Sequence, residues 1–439
     1  MINKIYLYIL LIYVIGSCNK LEPSNKLYNE ISKEKYLDQL EGFWLGQLIA
    51  NWTGLITEND KIGNIGDIKT GDFYTREDWG GPDQRNIWED ENTDKSDVKI
   101  DFILKSENEI WGSDDDTDIE YMYQYLHNYY KTSILSPSQI REGWLNHIKI
   151  EEENYLWVSN QRAFDLMLEG EKPPETSNPK KNEFYNMIDA QLTTEIFGLY
   201  SPTRPDFSIK MSKLPIQTTA RREAQEISEF YVRMYSNASS SRQFKNIKEK
   251  ILWLANESRS HLSENQYPAK MYDYVKDLYE SGAKWEATRD SIYVRYQVEQ
   301  KDGYDITSKK LYCNGCFAAG INFASSLVSL FYGEGNIKET IKIGTLAGWD
   351  SDNPTSTWGG LIGFIIGKEM IEKEFEMKIS NKFNIHRTRK NFPNEGIDTF
   401  ENMAKDGIKI VERVIMEELN GKIDSENKLW LIPKINNKK

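Results

Sequence analysis

Apolar side chains recur at i, i+3 and i+4 in eleven segments of this chain: 34–50, 118–131, 155–169, 181–198, 216–236, 243–256, 268–281, 315–332, 336–347, 357–374 and 398–420. That period lines up side chains on one face of an α-helix. A striped helix must bury its stripe, and with so little alternating sequence to build a sheet, the partners have to be other helices. Only residues 288–298 alternate, and weakly; the run Lys428–Pro433 is apolar enough to pair as a strand. No repeat of fixed period is evident, and nothing between residues 34 and 380 reads as a linker. The expectation is an all-α protein, a single large helical bundle domain over residues 34–375 with a small C-terminal appendage, 376–439, packed on it. Hydrophobic residues at 39% supply the core, and charged residues at 28% carry no signature of global disorder.

Two places break the helical period. Residues 57–100 are rich in Gly, Asp and aromatic residues, with Trp79, Gly80, Gly81 and Trp88 among them. Irregular segments this long often rim a binding site. Residues 348–356 form a polar stretch wedged between two apolar helices. Both breaks lead to carboxylates.

Asp114, Asp115 and Asp116 stand just ahead of a helical pattern, where one aspartate would serve as a cap and complement the helix dipole. Three adjacent ones repel unless something positive sits among them. Hard cations such as Mg²⁺, Mn²⁺ and Ca²⁺ take oxygen ligands of this kind. The plain alternative is a solvated acidic cap. Asp350 and Asp352 are spaced so that both side chains reach one side of an extended loop, with Asn353 adding an amide oxygen; the plain alternative is a turn. Gly359, Gly360, Gly363 and Gly367 follow in the next helix, and glycine there argues for close backbone approach to a neighbouring helix. Together the five aspartates would nearly balance two divalent cations, so a dinuclear centre is physically reasonable.

The first residues read as an export signal. Lys4 gives a minimal positive region, and residues 5–15 are apolar but too short to span a bilayer. The order Ile15, Gly16, Ser17, Cys18 resembles a bacterial lipobox, which would make residues 1–17 a signal peptide, Cys18 the acylated residue and 18–33 a tether. An ordinary signal peptide with an incidental cysteine is the alternative. The expected location is therefore outside the cytoplasm, anchored to a membrane through lipid alone, on the periplasmic side or the cell surface. Cys313 and Cys316 form a lone C-x-x-C; with only four histidines in the chain, a zinc site is poorly supplied. Two packed core cysteines or a local disulfide is the expected reading, with redox or metal chemistry as the alternative. A net charge of −13 argues against a nucleic-acid partner. It does not argue against a phosphate-bearing ligand that arrives with divalent cations.

Taken in order, these residues resemble the ADP-ribosylglycohydrolase family. The stretch from Gly42 through Gly46, Asn51 and Gly54 to Glu58 is similar to the family's first helix, with Asn51 where Asp is usual. Asp114-Asp115-Asp116-Thr117 resembles its Thr-Asp-Asp-Thr motif, and Asp350-Ser351-Asp352-Asn353 its Asp-x-Asp-Thr motif. Residues Phe331 to Asn336, Trp157 to Asn160, and Asp189 to Glu195 are similar to its connecting and middle stretches. The resemblance spans about residues 34–375 and implies an all-α bundle holding two divalent cations, Mg²⁺ first, with Mn²⁺ or Ca²⁺ as alternatives. It implies metal ligands at Asp114, Asp115, Asp116, Asp350, Asp352 and Asn353. It also implies catalytic roles for Glu58, Asp115 and Asp116, with Glu58 against the reacting ribose or the attacking water. Asn51, Trp79, Asn160, Gln191 and Trp349 are the candidate substrate contacts.

The implied activity is metal-dependent hydrolysis of an O- or N-ribosyl bond, of ADP-ribosyl type, in a small molecule, protein or glycan, by a monomer. An exported furanosidase acting on glycans is the first alternative. A ligand-binding member of the fold without turnover is the second, since residues 51, 114 and 353 all depart from the family pattern.

Overall fold

The computed structural model describes residues 27–89, 98–150, 152–309 and 312–435. The export signal, Cys18 and most of the expected tether lie outside them. Helices dominate the described residues, and none of those helices is long and apolar enough to cross a membrane.

The first helix, α1 (Lys33–Gly54), starts at a Ser32 cap whose hydroxyl accepts the Lys35 amide, and from Gly42 to Asn51 every residue is buried. A helix apolar on all sides has to run through the middle of its domain. Each fully buried side chain among Phe43, Trp44, Leu45, Leu48 and Ile49 stabilises that placement by about 1.5–3 kcal/mol relative to exposure. Helix α1 is followed in the chain by α2 (Asp115–Tyr129), α3 (Pro137–His147), α4 (Val158–Leu168), α5 (Asp189–Leu192), α6 (Ile196–Tyr200), α7 (Pro205–Thr219) and α8 (Glu223–Asn237). The second half adds α9 (Ile247–Arg259), α10 (Tyr267–Glu280), α11 (Trp285–Ile292), α12 (Ala319–Gly333), α13 (Ile337–Ala347), α14 (Asp352–Ile366), α15 (Lys368–Glu374) and α16 (Phe400–Glu417).

The contact that positions the site is α1 against α14, which run antiparallel with their backbones touching. A β-carbon on Gly46 would come within 2.3 Å of the Gly359 carbonyl oxygen, and one on Gly363 within 2.3 Å of that of Gly42. Of the glycines expected to permit close approach, Gly360 meets the side chains of Phe43 and Tyr235, whereas Gly359, Gly363 and Gly367 face Gly42 and Gly46 across the two helices. Their approach brings the end of α1 and the start of α14 to one pole of the bundle.

Among the described residues there are also six short strands: β1 (Tyr28–Ser32), β2 (Trp111–Gly112), β3 (Lys382–Asn384), β4 (Ile397–Thr399), β5 (Lys422–Asp424) and β6 (Leu429–Pro433). They form two three-stranded sheets in the orders β1-β6-β5 and β2-β3-β4, so the run at 428–433 does pair as a strand. In the first sheet β6 lies antiparallel to β1, from Tyr28 opposite Pro433 to Ser32 opposite Leu429. In the second, β2 runs parallel to β3, and Trp111 is opposite Phe383.

Five expected elements differ. The segments expected as single helices over 216–236 and 357–374 are each two, α7 and α8 breaking between Thr219 and Glu223, and α14 and α15 breaking at Gly367. Residues 288–298 are helical, the end of α11 followed by one π-helical turn over Tyr293–Val298. Trp285, Arg289, Ile292 and Tyr296 are buried at three- and four-residue spacing, which outweighs the weak alternation. The helix expected over 181–198 is two short ones. Thr193 and Thr194 direct their hydroxyls back to the carbonyls of Asp189 and Ala190, which competes with continuing the helix. The loop expected at 348–356 is shorter, since α14 already begins at Asp352.

Candidate functional site

Each aspartate cluster is held mainly by hydrogen bonds to segments remote in sequence, with one local cap at Asp114. The Ser113 amide donates to the Asn384 carbonyl at 3.0 Å, extending the β2–β3 pairing, so the small sheet delivers Asp114 to the N-terminus of α2. There the Asp114 amide donates to the Thr117 hydroxyl at 3.0 Å. Asp115 and Asp116 fall in the first turn, where the helix dipole favours negative charge.

The second cluster is fixed by Trp349, whose φ of 58° follows Gly348 at 95°. The Asn59 amide donates to the Trp349 carbonyl and the Trp349 amide to the Lys61 carbonyl, both at 2.8 Å. These two bonds hold the segment bearing Glu58 beside the one bearing Asp350. The Ser351 hydroxyl adds a bond to the Gly54 carbonyl at 3.0 Å.

The clusters converge. Oxygens of Asp114, Asp115, Asp116 and Asp352 lie within 4.8 Å of one another, and so do oxygens of Glu58, Asp350 and Asp352. Asp352 belongs to both groups. The Asn51 amide nitrogen donates to Asp114 at 3.2 Å and Asp116 at 2.8 Å. Asn353 donates to Asp116 at 2.7 Å, and its own oxygen accepts from Gln191 at 2.9 Å. Arg387 reaches Asp114 at 2.9 Å. Its guanidinium lies between the rings of Trp52 and Tyr155, 4.9 and 5.0 Å from their centroids.

Burial pushes the carboxyls of Glu58, Asp115, Asp116, Asp350 and Asp352 above the usual carboxylate range, and their mutual repulsion pushes the same way. Six carboxyls crowd together with one guanidinium contact, and Oδ1 of Asp352 is buried without a hydrogen-bond partner. An all-oxygen donor set with an orphaned carboxylate oxygen suits hard divalent cations.

The cluster floors a cavity of about 160 Å³. Its far wall is Asp189, Ile188 and Leu192, and its mouth is Tyr155, Trp157, Val158 and Phe317. Trp88 from the irregular segment, Trp157 and Phe317 lie nearly parallel, with centroids 5.8–6.4 Å apart. Trp88 and Trp157 remain 41% and 48% exposed, unusual for large rings, which leaves their faces available to a ligand.

The six candidate metal ligands and Glu58 thus meet in one cavity wall. The five candidate substrate contacts do not. Asn51 and Gln191 are buried behind the wall and hold its members in place. Asn160 is buried, its amide bonded to Asp189 at 2.9 Å. Trp349 is wholly buried with its ring 4.9 Å from Phe73. Trp79 lies away from the cavity, against Phe102 and under Lys342. Asp189, Trp157, Phe317 and Arg387 are site residues that sequence reasoning did not assign. Asp189 and Trp157 stand inside recognised stretches, whereas Arg387 comes from the C-terminal segment with no local signal.

A protein-family model described as ADP-ribosylglycohydrolase matches residues 32–406. A solved structure described as an ADP-ribosylglycohydrolase-related protein complex aligns over 87% of this chain and 99% of its own, at 13% identity and a TM-score of 0.40. No curated protein matches the chain.

Proposed function

We propose, because this chain belongs to the ADP-ribosylglycohydrolase family, that it cleaves an O- or N-ribosyl bond of ADP-ribosyl type with two divalent cations held between its aspartate clusters. The family makes it a hydrolase acting on glycosidic bonds. The observation that supports the finer reading is the sharing of Asp352 between two groups of carboxylates. Asp114, Asp115, Asp116 and Asp352 would hold one cation, and Asp350 and Asp352 the other beside Glu58, with Asn353 fixing Asp116. Mg²⁺ is the first candidate and Mn²⁺ or Ca²⁺ the alternatives. When bound, such cations supply Lewis-acid charge to ribose hydroxyls and to water in the cavity.

The chain's own groups do the rest. Glu58, on the wall beside Asp350, can take a proton from an attacking water. The surrounding carboxylates favour positive charge developing at the anomeric carbon. Ile188, Leu192 and Phe317 line the cavity with apolar surface and limit the water that competes there.

Calorimetric titration with Mg²⁺, Mn²⁺ and Ca²⁺ tests this reading, followed by assays on ADP-ribosyl-arginine, ADP-ribosyl-serine and furanosyl glycosides. Asp115→Ala and Asp352→Ala serve as controls. The absence of cation binding, or equal turnover in those two variants, would sink it. A second reading, furanoside hydrolysis, is favoured by the exposed Trp88 and Trp157 faces at the mouth, since sugar rings stack on such surfaces. Turnover confined to furanosides would decide for it. Export with acylation at Cys18 belongs to the same reading, supported by the order Ile15, Gly16, Ser17, Cys18. Cys18→Ala should release the protein from membranes, and a variant that stays bound would remove the anchor from the reading.

A further inference from the structure

Cys313 and Cys316 form a disulfide in the loop that enters the cavity mouth, and both are buried. Between them the backbone turns through left-handed conformations at Cys313, φ 46°, and Asn314, φ 56°. Residues with a β-carbon keep such conformations only where their surroundings hold them.

What this short loop carries is the aromatic mouth. The residue before it, Tyr312, accepts the indole N–H of Trp88 on its hydroxyl. Asn314 donates to the Ile65 carbonyl at 3.0 Å, tying the loop to the long irregular segment. The residue after it, Phe317, lines the cavity, and its carbonyl accepts the Ile188 amide at 2.9 Å. Ile188 lines the cavity as well. The Cys316 carbonyl accepts Asn322 at 2.7 Å, and the Asn322 oxygen receives the Asp350 amide at 3.3 Å. Asn322 sits on α12 and also donates to the Ala318 carbonyl at 3.1 Å, so the aspartate loop keeps its anchor if the bridge opens.

We propose that the Cys313–Cys316 disulfide is a positioning clip for the substrate mouth: closed, it holds Phe317 in the wall and Trp88 stacked beside Phe317 and Trp157, and opened, it loosens the wall while leaving the carboxylate cluster intact. The inference rests on the reading of this cavity as the substrate site. Opening needs a dithiol reductant. The S–S bond breaks, two cysteine thiols form with two electrons and two protons from the reductant, and the reductant leaves as its own disulfide.

Two bridge-free forms of the full chain, the dithiol-reduced protein and the Cys313→Ser/Cys316→Ser double variant, are compared with the oxidised protein. Amide exchange over residues 312–319 and 186–189 should accelerate about tenfold in both, while exchange over 114–118 and 350–353 stays within about twofold. Calorimetry on the double variant should return Mn²⁺ affinity within about twofold of the oxidised protein, and KM for ADP-ribosyl-arginine should rise about tenfold with kcat within about threefold. Unchanged exchange over 186–189, or Mn²⁺ binding lost along with the mouth, overturns the clip. If the oxidised protein turns over no ADP-ribosyl substrate, the proposed reaction falls, and the exchange and Mn²⁺ measurements still decide the clip.

Discussion

A β-carbon on Gly54 would lie 2.4 Å from the Cα of Asp352, so the last residue of α1 and the first of α14 meet backbone to backbone. No side chain fits between them, and the atoms in the way are main chain, which cannot rotate aside. Gly54→Ala must therefore push the start of α14, and Asp352 with it, away from Glu58. The expected cost is about 1–3 kcal/mol in stability, as for other overpacked sites, with a loss of divalent-cation affinity that exceeds it in effect. Thermal unfolding and calorimetry on this variant measure the two. Wild-type cation affinity in Gly54→Ala would show that this contact does not set the site.

Arg389 and Asp118 form an ion pair at 2.9 Å with both side chains fully buried, one turn into α2 behind the aspartates. Burial raises the Asp118 carboxyl to about 6 even though the Arg389 guanidinium pulls it down. Removing one partner strands the other charge in the interior. Arg389→Met should therefore cost about 3–5 kcal/mol, while the double change Arg389→Met, Asp118→Leu should recover most of it. Urea unfolding of the three variants forms the cycle. A double variant as unstable as the single would mean that the pair does more than satisfy itself.

These contacts show where sequence reading reaches and where it stops. The spaced glycines of α1 and α14 and the two aspartate runs carry their meaning locally, in helix propensity and in like-charge crowding, and they meet as expected. Arg387 and Arg389 could not be assigned, because they arrive from about 270 residues away, after a strand that pairs in parallel with β2. Trp349 and Trp79 lie outside the cavity lining for the opposite reason: aromatic residues near a motif more often fill the core, and Trp349 contributes backbone bonds instead of its ring. Trp157, at the start of the stretch Trp157 to Asn160, lines the cavity and keeps its ring half-exposed.

His127 offers a pH test away from the carboxylates. It is wholly buried in the last turn of α2, with Nδ1 2.8 Å from the Thr132 carbonyl oxygen and its ring against Phe197. Burial lowers its pKa from 6.5 to about 4. In the unfolded chain the imidazole charges near 6.5, whereas the folded one stays neutral until about 4, so protons favour unfolding inside that window. The contribution is flat above the window and is lost as pH falls through it, by about 3 kcal/mol in all. The raised carboxylates respond in the opposite sense, so the measurement is the difference between wild type and His127→Phe at each pH. That difference should shift by this amount between pH 7 and about pH 4. A constant difference across the range would contradict the assignment.

Cation stoichiometry is the sharpest test of the shared aspartate. Asp115 belongs only to the first carboxylate group, Asp350 only to the second, and Asp352 to both. If each group holds one ion, the wild type should bind two by calorimetry, Asp115→Ala and Asp350→Ala one each, and Asp352→Ala none of comparable affinity. Binding is also folding energy: at a free cation concentration about 100 times Kd, each occupied site should add about 2.7 kcal/mol to unfolding, and chelator should remove it. The Asp352→Ala protein should therefore unfold at the same temperature with or without Mg²⁺, while the single-group variants keep part of the response. One ion in the wild type, or a Mg²⁺-dependent melt in Asp352→Ala, would mean that the two groups do not form a paired centre.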